Sequence, residues 1–363
     1  MTLKNTKPDD VSPRSRLVSE FNYLKILALI LLLFVHSDLI FAYPSIVYPV
    51  QWFLLSAFFF ISGFLAYDSF HFRENSLKRF FKSKAKKLYV PFMGATIFYF
   101  VFQNILGQKT FDLIKLGSQL SMLNIFDRLN TIYNWASLWF IPYLLVFMLI
   151  ICLVEKYLKS LKIQALAVSL VWLSSITLWV YDSPFRLGQL FSQFLLVFIF
   201  GFYVSKFKIY DRIMNFKMAA LVIPLVIFFS FDFSGLFTYA NVVEGFESQL
   251  YFNVRSIVLT LGLVLLVLLF LKKIKVPKNG FAKQIASRSA FIYLLEPFIS
   301  YLLLTYIFGA SDSFFLAGGI EFYAYQAIRV LVLLFGVPLV FIAWKKYHKP
   351  RMPEQVPAAG MPG

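Results

Sequence analysis

Ten apolar runs, separated by short polar segments, dominate this chain and leave it few ways to fold. A helix rises about 1.5 Å per residue and bilayer hydrocarbon is about 30 Å thick, so roughly 20 apolar residues cross it. The runs centre on Leu24–Phe41, Val47–Tyr67, Leu88–Leu106, Trp135–Val154, Ile163–Tyr181, Leu187–Ser205, Met218–Phe233, Leu250–Leu271, Ser289–Phe308 and Phe322–Trp344. Only 15% of the 363 residues are charged and 60% are hydrophobic, whereas a water-facing surface needs about a quarter charged. The expected fold is therefore all-α: a polytopic membrane bundle of about ten transmembrane helices, which excludes a soluble enzyme.

The formal charge of +17 does not point to nucleic acid, because the Lys and Arg sit in short segments between apolar runs and form no soluble basic face. They report topology. With a cytoplasmic N-terminus, alternate connections hold roughly 29 of the 35 basic residues, the asymmetry expected of cytoplasmic loops. Both termini are then cytoplasmic in a multi-pass protein of the cell membrane. Residues 1–23 read as a cytoplasmic segment without a cleavable leader, 24–344 as the membrane domain, and 345–363, ending MPEQVPAAGMPG, as a disordered tail. Of the long connections on the other side, Gly107 to Asn134 carries a helical stripe of apolar residues that includes Phe111, Ile114 and Leu120. It suggests a helix in the interface or packed over the bundle. The one cysteine, Cys152, permits no internal disulfide, and the scattered carboxylates and histidines make no metal-ligand set.

Ionisable groups inside hydrocarbon are costly unless paired or hydrated, so each is a candidate for function. His36 is the one histidine inside an apolar run, with Asp38 two residues later. Two residues apart on a helix, they point about 200° away from each other and do not pair directly. Lys25 precedes His36 by eleven residues, which is about three turns, so the two share a face about 16 Å apart along the axis. That is close to the length of a phosphopantetheine arm. Glu296 and Arg329 lie deep in the last two runs; if adjacent they neutralise one another, and otherwise they suit acceptor binding or proton relay. Trp52, Trp135 and Trp139 fall near the run ends where an interfacial belt is expected.

The second run leads through RENSLKRFFKSKAKK to Pro91. Basic clusters there follow from topology alone, and they also suit the phosphates of coenzyme A. Taken in order, Lys25 and His36 in the first run, FFFISGFL (Phe58 to Leu65), KAKKLYVP (Lys84 to Pro91), LWFIPYLL (Leu138 to Leu145) and IYLLEPF (Ile292 to Phe298) resemble acyltransferase family 3. That family comprises integral membrane acyltransferases that modify surface glycans and some small molecules. Its pattern has Arg where Lys25 stands, an Arg-x-x-Arg pair where Lys84 and Lys87 stand, and often His where Glu296 stands. Lysine keeps the charge and loses the bidentate fork.

The resemblance implies transfer of an acyl group, usually acetyl, from cytoplasmic acyl-coenzyme A to a hydroxyl of a glycan or related acceptor. His36 would be the general base, or would carry the acyl group transiently, and Lys25, Lys84 and Lys87 would hold the donor phosphates. Acyl-coenzyme A is then the donor substrate, membrane lipid surrounds the protein, no nucleic acid is involved, and a separate soluble partner is left open. The rival reading is a transporter or flippase for a lipid-linked glycan or small solute. Against it, the helix-breaking prolines (Pro142, Pro224, Pro297, Pro338) are scattered and do not pair across two halves.

Overall fold

The computed structural model describes residues 13–35, 44–70, 76–105, 113–121, 140–180, 189–230, 246–277, 279–309 and 319–347. Within them every regular element is helical. The helices are α1 (Pro13–Phe34), α2 (Pro44–Asp68), α3 (Leu77–Lys84), α4 (Val90–Ile105), α5 (Leu113–Leu120), α6 (Phe140–Tyr157), α7 (Leu161–Val180) and α8 (Gln189–Lys206). They continue with α9 (Tyr210–Ile213), α10 (Phe216–Ser230), α11 (Phe246–Lys273), α12 (Gly280–Ser287), α13 (Ser289–Leu302), α14 (Ile320–Leu331) and α15 (Val337–Tyr347). Among the described residues, seven helical stretches are long and apolar enough to cross a membrane: Leu17–Phe34, Val50–Tyr67, Phe140–Tyr157, Leu161–Leu178, Phe246–Lys273, Ser289–Phe308 and Ile320–Ala343. Phe191–Lys206 and Lys217–Phe228 are shorter and equally apolar in character. The protein is an all-α polytopic membrane bundle.

The first helix starts well before the apolar run predicted at Leu24. It begins at Pro13, and its most apolar window is Leu17–Phe34. Ser19 and Glu20 lie inside that window and are buried, 8% and 6% exposed, with the Tyr210 hydroxyl donating to Glu20 Oε2 at 2.5 Å. A hydropathy reading stops at these polar residues; a partner from a distant segment lets them enter the helix packing. Of the segment predicted between Gly107 and Asn134, the described part is α5, which packs against α4. Its last carbonyl, Leu120 O, accepts from the Tyr89 hydroxyl at 2.5 Å, so the helix runs back beside α4 towards that helix's first turn.

Among the described residues three segments of five or six residues widen into π-helical turns, Ala85–Tyr89, Leu303–Phe308 and Val332–Gly336. The first and third are each closed by a valine N–H bonding the carbonyl five residues back, and the residue after that valine is a proline, Pro91 or Pro338. Proline has no N–H and its ring collides with the carbonyl four residues earlier. The wider turn moves those carbonyls clear of the ring.

Packing is tightest where α2 crosses α8. A Cβ on Gly63 would lie 1.9 Å from the Phe198 carbonyl oxygen, and one on Gly201 would lie 2.2 Å from that of Phe60. Each helix thus presents a glycine to the other's backbone, the contact that small residues permit between membrane helices. Aromatic rings fill the seam above it: Phe59 stacks on Phe194 with centroids 4.9 Å apart, and Trp52 on Phe194 at 5.6 Å. Trp52 is 9% exposed. It belongs to the packed interior, against Phe194 and Phe252, and not to the lipid-facing belt expected for it. Helix α1 sits in the middle, packed against α2, α11, α12, α13 and α14.

Candidate functional site

The helix ends rich in lysine meet at one end of the bundle. There Lys272 at the end of α11 pairs with Asp211 of α9 at 2.8 Å and covers the Tyr210 ring at 5.7 Å, while Tyr210 bonds Glu20 near the start of α1. Burial and the Glu20 carboxylate both push the Tyr210 hydroxyl above the ordinary tyrosine range. Lys206, ending α8, pairs with Glu155 of α6 at 2.7 Å and donates to Gln164 Oε1 of α7 at 3.3 Å; the Tyr203 hydroxyl donates to the same oxygen at 2.9 Å. Lys84 donates to Ser69 Oγ at 3.3 Å, next to the end of α2, and its ammonium lies 5.1 Å from the Phe80 ring centroid.

The two lysines that stand at the family's paired-arginine positions differ in setting. Lys84 is half-buried and tethered to α2, whereas Lys87 is exposed. Between them the chain passes through the π-helical turn, which rotates a residue less per step than an α-helix and so moves Lys87 off the face that an i, i+3 pair shares. Lys84 is a tethered charge and Lys87 an exposed one. Lys25 is half-buried on α1, in a stripe with Leu29 and Leu32, which are 0% and 1% exposed. The helix face that carries Lys25 therefore turns into the bundle. His36 and Asp38, like Trp135 and Trp139, lie outside the described residues; Val35, next to His36 in the chain, is buried at the end of α1.

Glu296 and Arg329 are brought together. Arg329 Nη1 lies 3.5 Å from Glu296 Oε1, the Ser300 hydroxyl donates to the same oxygen at 3.0 Å, and Nη1 also reaches the Tyr325 hydroxyl at 3.4 Å. Glu296 is 3% exposed and Arg329 1%. The Tyr99 hydroxyl of α4 donates to the Leu294 carbonyl, two residues before Glu296 on α13. Glu296 stands where the family often has histidine, and the pairing supplies a reason. A buried guanidinium needs a counter-charge, which carboxylate provides and imidazole does not.

A second buried polar group was not singled out from the sequence. Arg255 of α11 is 3% exposed, inside an apolar run where an ionisable residue is itself a signal; it stands five residues from the predicted start of that run and passes there for an end residue. Two residues before Arg255 in the chain, and so on another face of α11, Asn253 accepts at Oδ1 from the Ser192 hydroxyl of α8 at 2.5 Å and donates from Nδ2 to the Gln249 carbonyl at 2.8 Å. Gln193, next to Ser192, is 2% exposed. These are uncharged amides and hydroxyls, invisible to a search for charge.

An apolar helical bundle with one basic end and ionisable and amide groups sealed in its interior defines an integral membrane protein built to handle a polar substrate. The chain belongs to acyltransferase family 3: the family's acyltransferase-domain profile matches residues 18–345, from the early turns of α1 into α15. It is a membrane acyltransferase. No curated protein and no solved structure matches the chain.

Proposed function

We propose that the protein transfers an acyl group, acetyl in the simplest case, from cytoplasmic acyl-coenzyme A to a hydroxyl of a cell-envelope carbohydrate or related acceptor, at the cell membrane. The observation that carries this reading is the course of α1. It starts among the lysine-rich helix ends, turns the Lys25 face into the bundle, and leads in sequence to His36. A donor with phosphates at the lysine-rich end and a thioester about 16 Å further along the helix axis matches that spacing.

In this reading Lys84, Lys87 and Lys25 hold the donor phosphates. His36 accepts the proton of the acceptor hydroxyl as its oxygen attacks the thioester carbonyl; the carbon–sulfur bond then breaks, and the coenzyme A thiolate leaves with that proton returned. In the two-step variant the imidazole takes the acyl group first. Glu296 and Arg329, paired with one another, keep their neighbouring helices in register, and Asp38 remains available to the acceptor or a proton relay.

The test is donor binding to detergent-purified protein, wild type against His36→Ala, followed by release of free coenzyme A with glycan acceptors. Saturable acetyl-coenzyme A binding in both proteins, with turnover lost only in the variant, is the expected result. A folded wild type that binds no donor overturns the reading in favour of transport.

A further inference from the structure

We propose that the uncharged polar layer between α2, α8 and α11 is the subsite for the hydroxyl-bearing acceptor, with Gln193 its principal hydrogen-bonding residue. This deepens the acyltransferase reading and rests on it.

The layer lies far from the lysine-rich end. Glu20 of α1 and Lys272 of α11 both meet Tyr210 and so mark one level. Asn253 is nineteen residues from Lys272 along α11, about 28 Å by helical rise. Val35 is fifteen residues beyond Glu20 along α1, about 22 Å. The layer is thus at the height where α1 approaches His36 in sequence, and α1 packs against both α2 and α11. Counting from the glycine crossing, Ser56 and Gln193 lie seven and eight residues towards the same end, which puts them level with each other.

Its chemistry is that of a neutral polyhydroxylated ligand. Among the described residues, neither amide atom of Gln193 has a hydrogen-bond partner, nor has Ser56 Oγ, and these residues are 2% and 0% exposed. A buried amide left without partners is costly, and an apolar residue of the same shape would serve packing better. One donor and one acceptor held ready, beside the bonded Ser192–Asn253 pair, complement a hydroxyl that both gives and takes. Trp52, stacked on Phe194 and edge-on to Phe252 at 6.1 Å, walls the layer with aromatic surface. Arg255 points about 200° round α11 from Asn253, so its charge lies on the other side of that helix. The amides and hydroxyls carry no charge to offset that of an anion, so the layer suits neutral hydroxyl groups.

The single native cysteine is fully buried, which makes a thiol probe clean. In a Cys152→Ala background, Gln193→Cys is treated in oriented membrane vesicles with a charged, membrane-impermeant methanethiosulfonate, with Lys87→Cys as the marker of the opposite face. Modification of position 193 from the face away from Lys87 is expected. Separately, Gln193→Leu should raise the acceptor KM about tenfold with the donor KM unchanged, as a site built to bond a hydroxyl loses when its partner is removed. No modification, modification from the Lys87 face, or an unchanged acceptor KM each overturns the assignment. A wild type that releases no coenzyme A overturns the acyltransferase reading and takes the acceptor assignment with it; the labelling is read without turnover and still decides whether the layer admits a polar molecule.

Discussion

Among the described residues, two of the buried polar groups are built on opposite plans. Between α13 and α14 two full charges face each other: Glu296 and Arg329 are matched in charge, with Ser300 and Tyr325 added at hydrogen-bond distance. Between α2, α8 and α11 the groups are neutral, and Gln193 and Ser56 keep unused hydrogen-bonding capacity among the described residues. A charge pair neutralises itself and fixes helices; an open amide layer waits for something else. The difference separates polar residues that hold the fold from polar residues that serve a substrate, although by burial alone the two groups look alike.

Substitutions should break or sharpen this contrast. The largest effect is expected at the charge pair: Glu296→Leu alone leaves a buried guanidinium without its counter-charge, at a cost of about 3–5 kcal/mol, whereas Glu296→Leu combined with Arg329→Leu should recover most of that loss. Thermal unfolding in detergent of the two single variants and the double variant measures the coupling, and additive losses would show that the pair does not act as a unit. Gly63→Ala comes next, since its methyl would meet the Phe198 carbonyl; overpacking of this kind costs about 1–3 kcal/mol, read as a lower melting temperature, and Gly201→Ala should match it. The smallest effect belongs to Gln193→Leu, which removes an unpaired amide and should leave stability unchanged or raised by about 1 kcal/mol. A destabilised Gln193→Leu protein would mean that the layer is structural after all and would erase the contrast.

Much of the architecture is legible in the chain. Each of the ten predicted apolar runs contains a helix, because the cost of exposing backbone to hydrocarbon acts on every run separately and needs no tertiary knowledge. What is not legible depends on distant partners. Nothing near Ser19 and Glu20 announces that Tyr210, 190 residues on from Glu20, will accommodate them. Trp52 follows the pattern of a belt residue and is claimed by Phe194 and Phe252. Lys84 and Lys87 read as an equivalent pair until the π-helical turn ahead of Pro91 separates a tethered charge from an exposed one. The Gln193 layer escaped notice because side chains without charge stand out only once burial and missing partners are known.

The reciprocal glycine contact also limits how this protein can move. With each backbone pressed against the other at Gly63 and Gly201, sliding of α2 along α8 would drive carbonyl oxygens into flanking side chains, so shear at that seam is blocked. The FFFISGFL segment accordingly acts as a fixed post. Any breathing that lets an acceptor reach the interior has to come from the elements around it, by rigid displacement of α1 with α11, which packs against α2; a cross-link between α2 and α8 should leave turnover intact while one between α2 and α11 should arrest it.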